Sequence, residues 1–217
     1  QGFQNGARGQ GQFSKEVDFM NKTANPVSEV EAGRQWYPEI KHHGALHGVT
    51  GSCHELFFDE DDSVRKSVLI DCGLFQGDDH SSHGETSANA AQLMIDFDLS
   101  HVQALCVTHA HIDHIGRIPY LLMAGFDKPI YCSEATALLI PLMLEDAIKL
   151  GLTRDKRLLG GLLNKVQQLL RPAPYHQWLQ LAEGLRLKFK PAGHILGSAY
   201  LEFDVLKPAT FQKLRPS

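Results

Sequence analysis

The stretch Val107-Thr-His-Ala-His-Ile-Asp-His-Ile-Gly116 decides how this chain is read. His109, His111, Asp113 and His114 crowd together directly after the apolar run Leu105-Cys106-Val107. A short apolar run of that kind reads as a buried strand, so the metal-capable groups begin where a strand ends. If the extended geometry persists, His109 and His111, two residues apart, project from the same side. Asp113 and His114 follow where the chain turns towards a helix whose first turn accepts Pro119, because the first helical amides have no intrahelical partners. The four groups therefore converge on one point. Imidazole nitrogens suit zinc, and a carboxylate beside them suits a second divalent ion or holds water at the first. A single buried histidine is usually structural, but this set in this spacing is a metal site.

The chain has 217 residues, 43% of them apolar, which is enough for one sizeable core and implies a single globular domain with a tail. A net charge of -4 excludes a protein coated in positive charge for indiscriminate nucleic-acid binding, while leaving room for a local basic groove. Cys53, Cys72, Cys106 and Cys132 are widely spaced and mostly lie in apolar runs, which suggests neither a disulfide framework nor a thiolate metal knuckle. A reducing cytoplasm fits best. Residues 1–38, rich in glycine and glutamine at their start, read as a flexible leader without the apolar segment of a signal peptide, and 39–217 as the folded domain. No segment reaches membrane-spanning length, so no membrane partner is expected.

Beyond Pro38 the chain alternates strand-like and helix-like segments. Strands are expected around Leu56, Leu69, Leu105 and Tyr131. Ser133 is placed to cap a helix carrying Ala135, Leu138, Leu139 and Leu142 at helical spacing, with Pro141 as a kink. Asp155 to Arg171 and Pro174 to Glu183 are predicted as two further helices, the second closed by Gly184. Leu185-Arg-Leu-Lys-Phe-Lys190 alternates apolar and basic residues, a half-exposed strand. The pattern implies an α/β layered fold.

HAHIDH in this setting resembles the signature of the metallo-β-lactamase superfamily. GVTGSCHELFF is similar to the first strand pair of its β-CASP branch, LIDCGLFQG to the next strand and glycine turn, and PAGHILGSAYLEF to the third metal motif. The resemblance runs from Gly48 to Phe203 in the family's order. It implies an incomplete αββα sandwich, the amino-terminal part of a nuclease that uses two zinc ions to hydrolyse phosphodiester bonds, mostly in RNA, with DNA as the other substrate open.

Carried over, the resemblance gives His109, His111 and His194 to one zinc and Asp113 and His114 to the second, with Asp113 and His114 also in the chemistry. Asp71 acts from behind them, orienting ligands through hydrogen bonds. Two divalent ions about 3.5–4 Å apart bring water's pKa towards neutrality and neutralise phosphoryl charge, so no serine or cysteine nucleophile is needed. Ser52 and Ser198 read as loop hydroxyls, and His42, His43, His47, His80, His83, His101 and His176 as solvated. Arg186, Lys188 and Lys190 form a positive stripe leading to the His194 loop, which reads first as a solvated strand face and, as the alternative, as a contact for RNA phosphates. The family's bridging aspartate and its β-CASP clamp domain are not in the sequence, and LEFDV, which holds Glu202 and Asp204, reads as a strand. One zinc is therefore expected here and two in the complete enzyme. A small-molecule hydrolase of the thioesterase or lactonase type shares HxHxDH, and a non-catalytic scaffold usually loses ligands that this chain keeps. The oligomeric state is not legible.

Overall fold

The computed structural model describes residues 37–45, 50–59, 65–75 and 93–206. The predicted leader over 1–38 therefore lies almost wholly outside the described residues, as do His47, His80 and His83.

Six strands form the first sheet in the order β1 (Glu39–His42), β2 (His54–Phe57), β3 (Ser67–Ile70), β4 (Val102–Cys106), β5 (Ile130–Ser133) and β6 (Leu170–Ala173). The first three run antiparallel to one another, and β3 to β6 are parallel. Parallel strands are buried on both faces, which is why β3 (SVLI) and β4 (VQALC) carry apolar residues at consecutive positions instead of alternating strictly. Leu69 and Leu105 point into one core, while Val68, Ala104 and Cys106 point into another.

The first core is closed by helices. Two short ones, α1 (Ile112–Ile115) and α2 (Ile118–Met123), follow β4. Two longer ones follow β5, α3 (Glu134–Gly151) and α4 (Lys156–Leu169). As predicted, the Ser133 hydroxyl caps α3 by accepting from the Thr136 amide at 3.2 Å, and Asp155 caps α4 by accepting from the amides of Arg157 and Leu158. The buried face of α3 is not the expected one. Ala137, Ile140, Leu144 and Ile148 are buried, whereas Leu138 and Leu142 are 76% and 61% exposed. The segment is apolar nearly all round, so two stripes satisfy helical spacing and packing selects one.

The second core lies between the first sheet and a three-stranded antiparallel sheet, β7 (Trp178–Ala182), β8 (Leu185–Pro191) and β9 (Ala199–Val205). Here the predicted helix over Pro174 to Glu183 is corrected. Trp178, Leu179 and Gln180 pair with Lys188, Leu187 and Arg186, so the segment is a strand whose Leu179 and Leu181 pack on the core. Its apolar residues fit either period, and pairing with β8 decides. Gly184, at φ +81°, turns β7 into β8. Helix–sheet–sheet layering with a mixed central sheet is the expected α/β sandwich, three of its four layers lying in the described residues. Among these residues no helix is long and apolar enough to cross a membrane.

Candidate metal centre

In parallel sheets the carboxyl ends of the strands are where ligands bind, and the predicted residues collect there. Asp71 directly follows β3, and His109 and His111 follow β4. Asp113 and His114 ride on α1, which is laced to the turn after β3: Cys72 N–H donates to the His114 carbonyl at 2.7 Å and Leu74 N–H to that of Ile112 at 3.0 Å. This close approach depends on Gly73, where an added Cβ would stand 1.5 Å from the Asp113 carbonyl oxygen. The buried Arg117 holds the same turn from below, its Nε donating to the Gly73 carbonyl at 2.8 Å.

His194 arrives from the other sheet, on the loop between β8 and β9. The Ala199 amide donates to the Thr108 carbonyl at 2.9 Å, which fastens that loop to the end of β4. The Ser133 and Thr136 hydroxyls both donate to the Gly197 carbonyl, at 2.6 and 2.9 Å. Ser198 was read as a loop hydroxyl; its oxygen accepts from the amides of His194 and Ile195 at 3.0 and 3.2 Å and so fixes the bend that carries the histidine.

His109 Nε2 lies 3.1 Å from His111 Nδ1, and His194 Nε2 lies 3.2 Å from that same nitrogen. The ligand atoms of the three residues all fall within 4.8 Å of one another. Nitrogens bound tetrahedrally to zinc at about 2.0–2.1 Å stand roughly 3.3 Å apart, so the cluster has the dimensions of a metal site. The site grades from buried His109 through half-buried His111 to exposed His194, and opens to solvent on that side.

The tautomers follow from Asp71, a pure acceptor. Thr108 Oγ1 lies 3.1 and 2.9 Å from its two carboxylate oxygens and gives its one proton there, so the same oxygen accepts from His109 Nδ1–H at 2.9 Å. His109 Nε2 is left with a lone pair facing the cluster. His114 Nδ1–H donates to Asp71 Oδ2 at 2.7 Å, which leaves its Nε2 as an acceptor 3.7 Å from Asp113 Oδ2. Burial, reinforced by the nearby His114, pushes His109 down to about 4, so its ring is neutral and ligand-ready at neutral pH. For His114 burial acts downwards too, but the hydrogen bond and charge of Asp71 outweigh it and raise the pKa.

Thr108 and Ser52 were missed as contributors. Thr108 stands beside His109 in sequence, but its role depends on Asp71, 37 residues away. Glu202 and Asp204 stay outside the cluster: Glu202 Oε2 is 3.0 Å from both Lys188 and Lys190, and Asp204 pairs with Arg186, all on the outer face of the second sheet. Two carboxylates therefore already counter part of the charge of the three cations in the predicted stripe. Two histidines read as solvated are not. His43 Nε2 lies 2.7 Å from the buried Glu55 carboxylate, its ring stacked on Phe97 at 3.8 Å, and His101 lies 3.3 Å from the other Glu55 oxygen. A charge at Glu55 inside the sheet requires such partners.

Comparison with known proteins agrees with this geometry. The sequence profile of the metallo-beta-lactamase superfamily matches residues 62–194. A ribonuclease of Thermus thermophilus is 40% identical over 161 residues, covering 73% of this chain and 33% of that protein. A transcription termination factor FttA of Methanosarcina mazei is 34% identical over 140 residues, 64% of this chain and 21% of its own length. An RNase J-like protein of Methanocaldococcus jannaschii is 31% identical over 167 residues, 76% of this chain and 34% of its own. The chain belongs to the metallo-β-lactamase superfamily, and its relatives are those of the β-CASP branch. Its site is that of a metal cofactor. The chain spans about a third or less of the length of these relatives.

Proposed function

We propose that this chain is the amino-terminal part of a zinc-dependent nuclease that hydrolyses phosphodiester bonds in RNA. The observation that carries the reading is the convergence of His109 Nε2, His111 Nδ1 and His194 Nε2 at one point beside Asp113 and His114. Relatives named as a ribonuclease, a termination factor and an RNase J-like protein support RNA as the substrate class. His109, His111 and His194 hold the first ion. Asp113 and His114 contribute to a second, completed by residues that this chain does not contain.

Zinc held by His109, His111 and His194 would supply Lewis acidity, lowering the pKa of water and drawing charge from the phosphoryl oxygens. Asp113, beside the cluster, orients the attacking water and takes its proton at Oδ2. Asp71 and Thr108 keep His114 and His109 in the tautomers that leave their Nε2 lone pairs free. The phosphorus–oxygen bond to the leaving nucleotide breaks as the new one forms, and the leaving oxygen picks up a proton. A reducing cytoplasm suits the four free, buried thiols.

The test is metal content by elemental analysis beside cleavage of labelled RNA and DNA, for this chain and for a longer one of the relatives' length. One firmly held zinc here, two in the longer chain and RNA cleavage by the longer chain alone are expected. Two tightly held ions with full activity in this chain would overturn the assignment of an external bridging ligand. Absence of zinc from both would overturn the function.

A further inference from the structure

The stretch Ser52-Cys53-His54 enters the sequence reading as a loop hydroxyl and the start of a strand, yet it touches both metal-bearing turns. Ser52 N–H donates to the Asp113 carbonyl at 2.9 Å, and the Ser52 carbonyl accepts from Gly73 N–H at 2.9 Å. Its hydroxyl, in a side chain only 9% exposed, stands 3.4 Å from Asp71 Oδ2 and 3.4 Å from His54 Nε2. His54 Nδ1 lies 2.8 Å from Nδ1 of His42, its cross-strand partner on β1.

We infer that Ser52 and His54 are positioning residues for Asp71, forming a hydrogen-bonded arm that runs from the exposed ring of His42 through His54 and Ser52 to the carboxylate that orients His114. The direction of the arm is forced by proton count. Asp71 can only accept, so Ser52 gives it its single hydroxyl proton. The Ser52 oxygen can then only accept, so neutral His54 carries its proton on Nε2. That leaves a lone pair on His54 Nδ1, and His42 must supply the proton between the two rings from its own Nδ1. Every bond donates towards Asp71.

The arm adds a donor on the same Asp71 oxygen that receives His114, and its backbone bonds tie that oxygen's surroundings to Asp113 and Gly73. Two links at 3.4 Å are longer than the 2.7–3.2 Å of full-strength bonds, so the arm steers the carboxylate more weakly than Thr108 does. The importance of the arm for metal binding rests on the reading of His114 as a ligand; its existence and direction do not.

The experiment reads histidine tautomers by long-range proton–nitrogen correlation in the nitrogen-15-labelled chain at neutral pH, beside zinc titrations of the longer chain. In the native sequence His54 is expected protonated on Nε2 and His42 on Nδ1. In Ser52→Ala the fixed tautomer of His54 is lost, and affinity for the more weakly held zinc falls about three- to tenfold, less than the roughly 10–100-fold typical of groups bonded directly to a metal ligand. Ser52→Thr, which keeps the hydroxyl, restores both. A proton on Nδ1 of His54 in the native chain overturns the arm, as does a Ser52→Ala chain with unchanged tautomers and zinc binding. If the native protein takes up no zinc, the proposed function fails while the tautomers still decide the arm.

Discussion

His114 donates through Nδ1 to Asp71 Oδ2 at 2.7 Å, and this one bond decides which ring nitrogen faces Asp113. Asp71 achieves it from a left-handed backbone conformation, φ +58°, which aspartate tolerates better than most residues. Its strongest bonds are to Thr108 and His114, with the Thr108 amide donating to Oδ1 at 2.8 Å, while Ser52 stands at 3.4 Å from Oδ2.

Asp71→Asn keeps the shape and the backbone tolerance but removes the charge and half of the acceptor capacity. The amide no longer enforces the His114 tautomer, so affinity at the His114 side is expected to fall about 10–100-fold. The three-histidine cluster should be affected less, since the one oxygen that the amide retains still accepts the Thr108 hydroxyl proton and so preserves the His109 tautomer. Zinc competition titrations that resolve the two affinities check this; equal losses at both would mean that Asp71 supports the whole site and not one ligand.

The histidine motif was legible because its information is local: four groups in six residues, presented by a strand end and one helical turn. The strands around Leu56, Leu69, Leu105 and Tyr131 are legible for the same reason, being short apolar runs; for the last three, parallel packing with both faces covered accounts for the run. What supports the site was not. Thr108, Ser52 and Ser198 act through partners that only the fold brings near, and no periodicity marks a hydroxyl that fixes a tautomer. Trp178–Ala182 was misread because its apolar residues satisfy two periods, and the stripe on α3 because an apolar helix offers several faces.

Glu55 gives a pH prediction. Burial would raise its pKa, but hydrogen bonds from His43 and Ser67 and the charges of His43 and His101 outweigh it and hold it below its ordinary value. The folded pKa is thus lower than the unfolded one of about 4.3, so the stabilisation is complete above that value and is lost as pH falls through the folded pKa. Glu55→Gln should cost about 1–3 kcal/mol at neutral pH, with the gap to the native chain closing below about pH 4. Urea unfolding at a series of pH values measures it; a gap that stays constant with pH would show that packing, and not charge, is what the substitution disturbs.

The corrected face of α3 can be tested directly. Ile140 is fully buried in the core against the first sheet, and truncation to alanine is expected to cost about 2–5 kcal/mol. Leu138, at 76% exposure, has little to lose, and its alanine variant should stay within about 0.5 kcal/mol of the native chain. Chemical denaturation of the two variants decides between the stripes, and the opposite ranking would restore the face predicted from leucine spacing.

The basic stripe calls for a quantitative test because its charges are partly spent. Arg186 pairs with Asp204, and Lys188 and Lys190 share Glu202, while Trp178 lies under Arg186 and Lys188 at 5.1 and 4.1 Å. Three cations against two carboxylates leave one uncompensated charge on the face that leads to His194. Each phosphate contact with a single strand contributes about 0.7 to the slope of log affinity against log salt. Three independent contacts would therefore give roughly 2 units of slope, and one about 0.7. Reversing all three charges in the longer chain is expected to flatten the slope for single-stranded RNA by about one contact's worth, because Glu202 and Asp204 already hold the other two cations. A loss of roughly 2 units would show that RNA displaces the carboxylates and tracks the whole stripe, and an unchanged slope would remove Arg186, Lys188 and Lys190 from the substrate path.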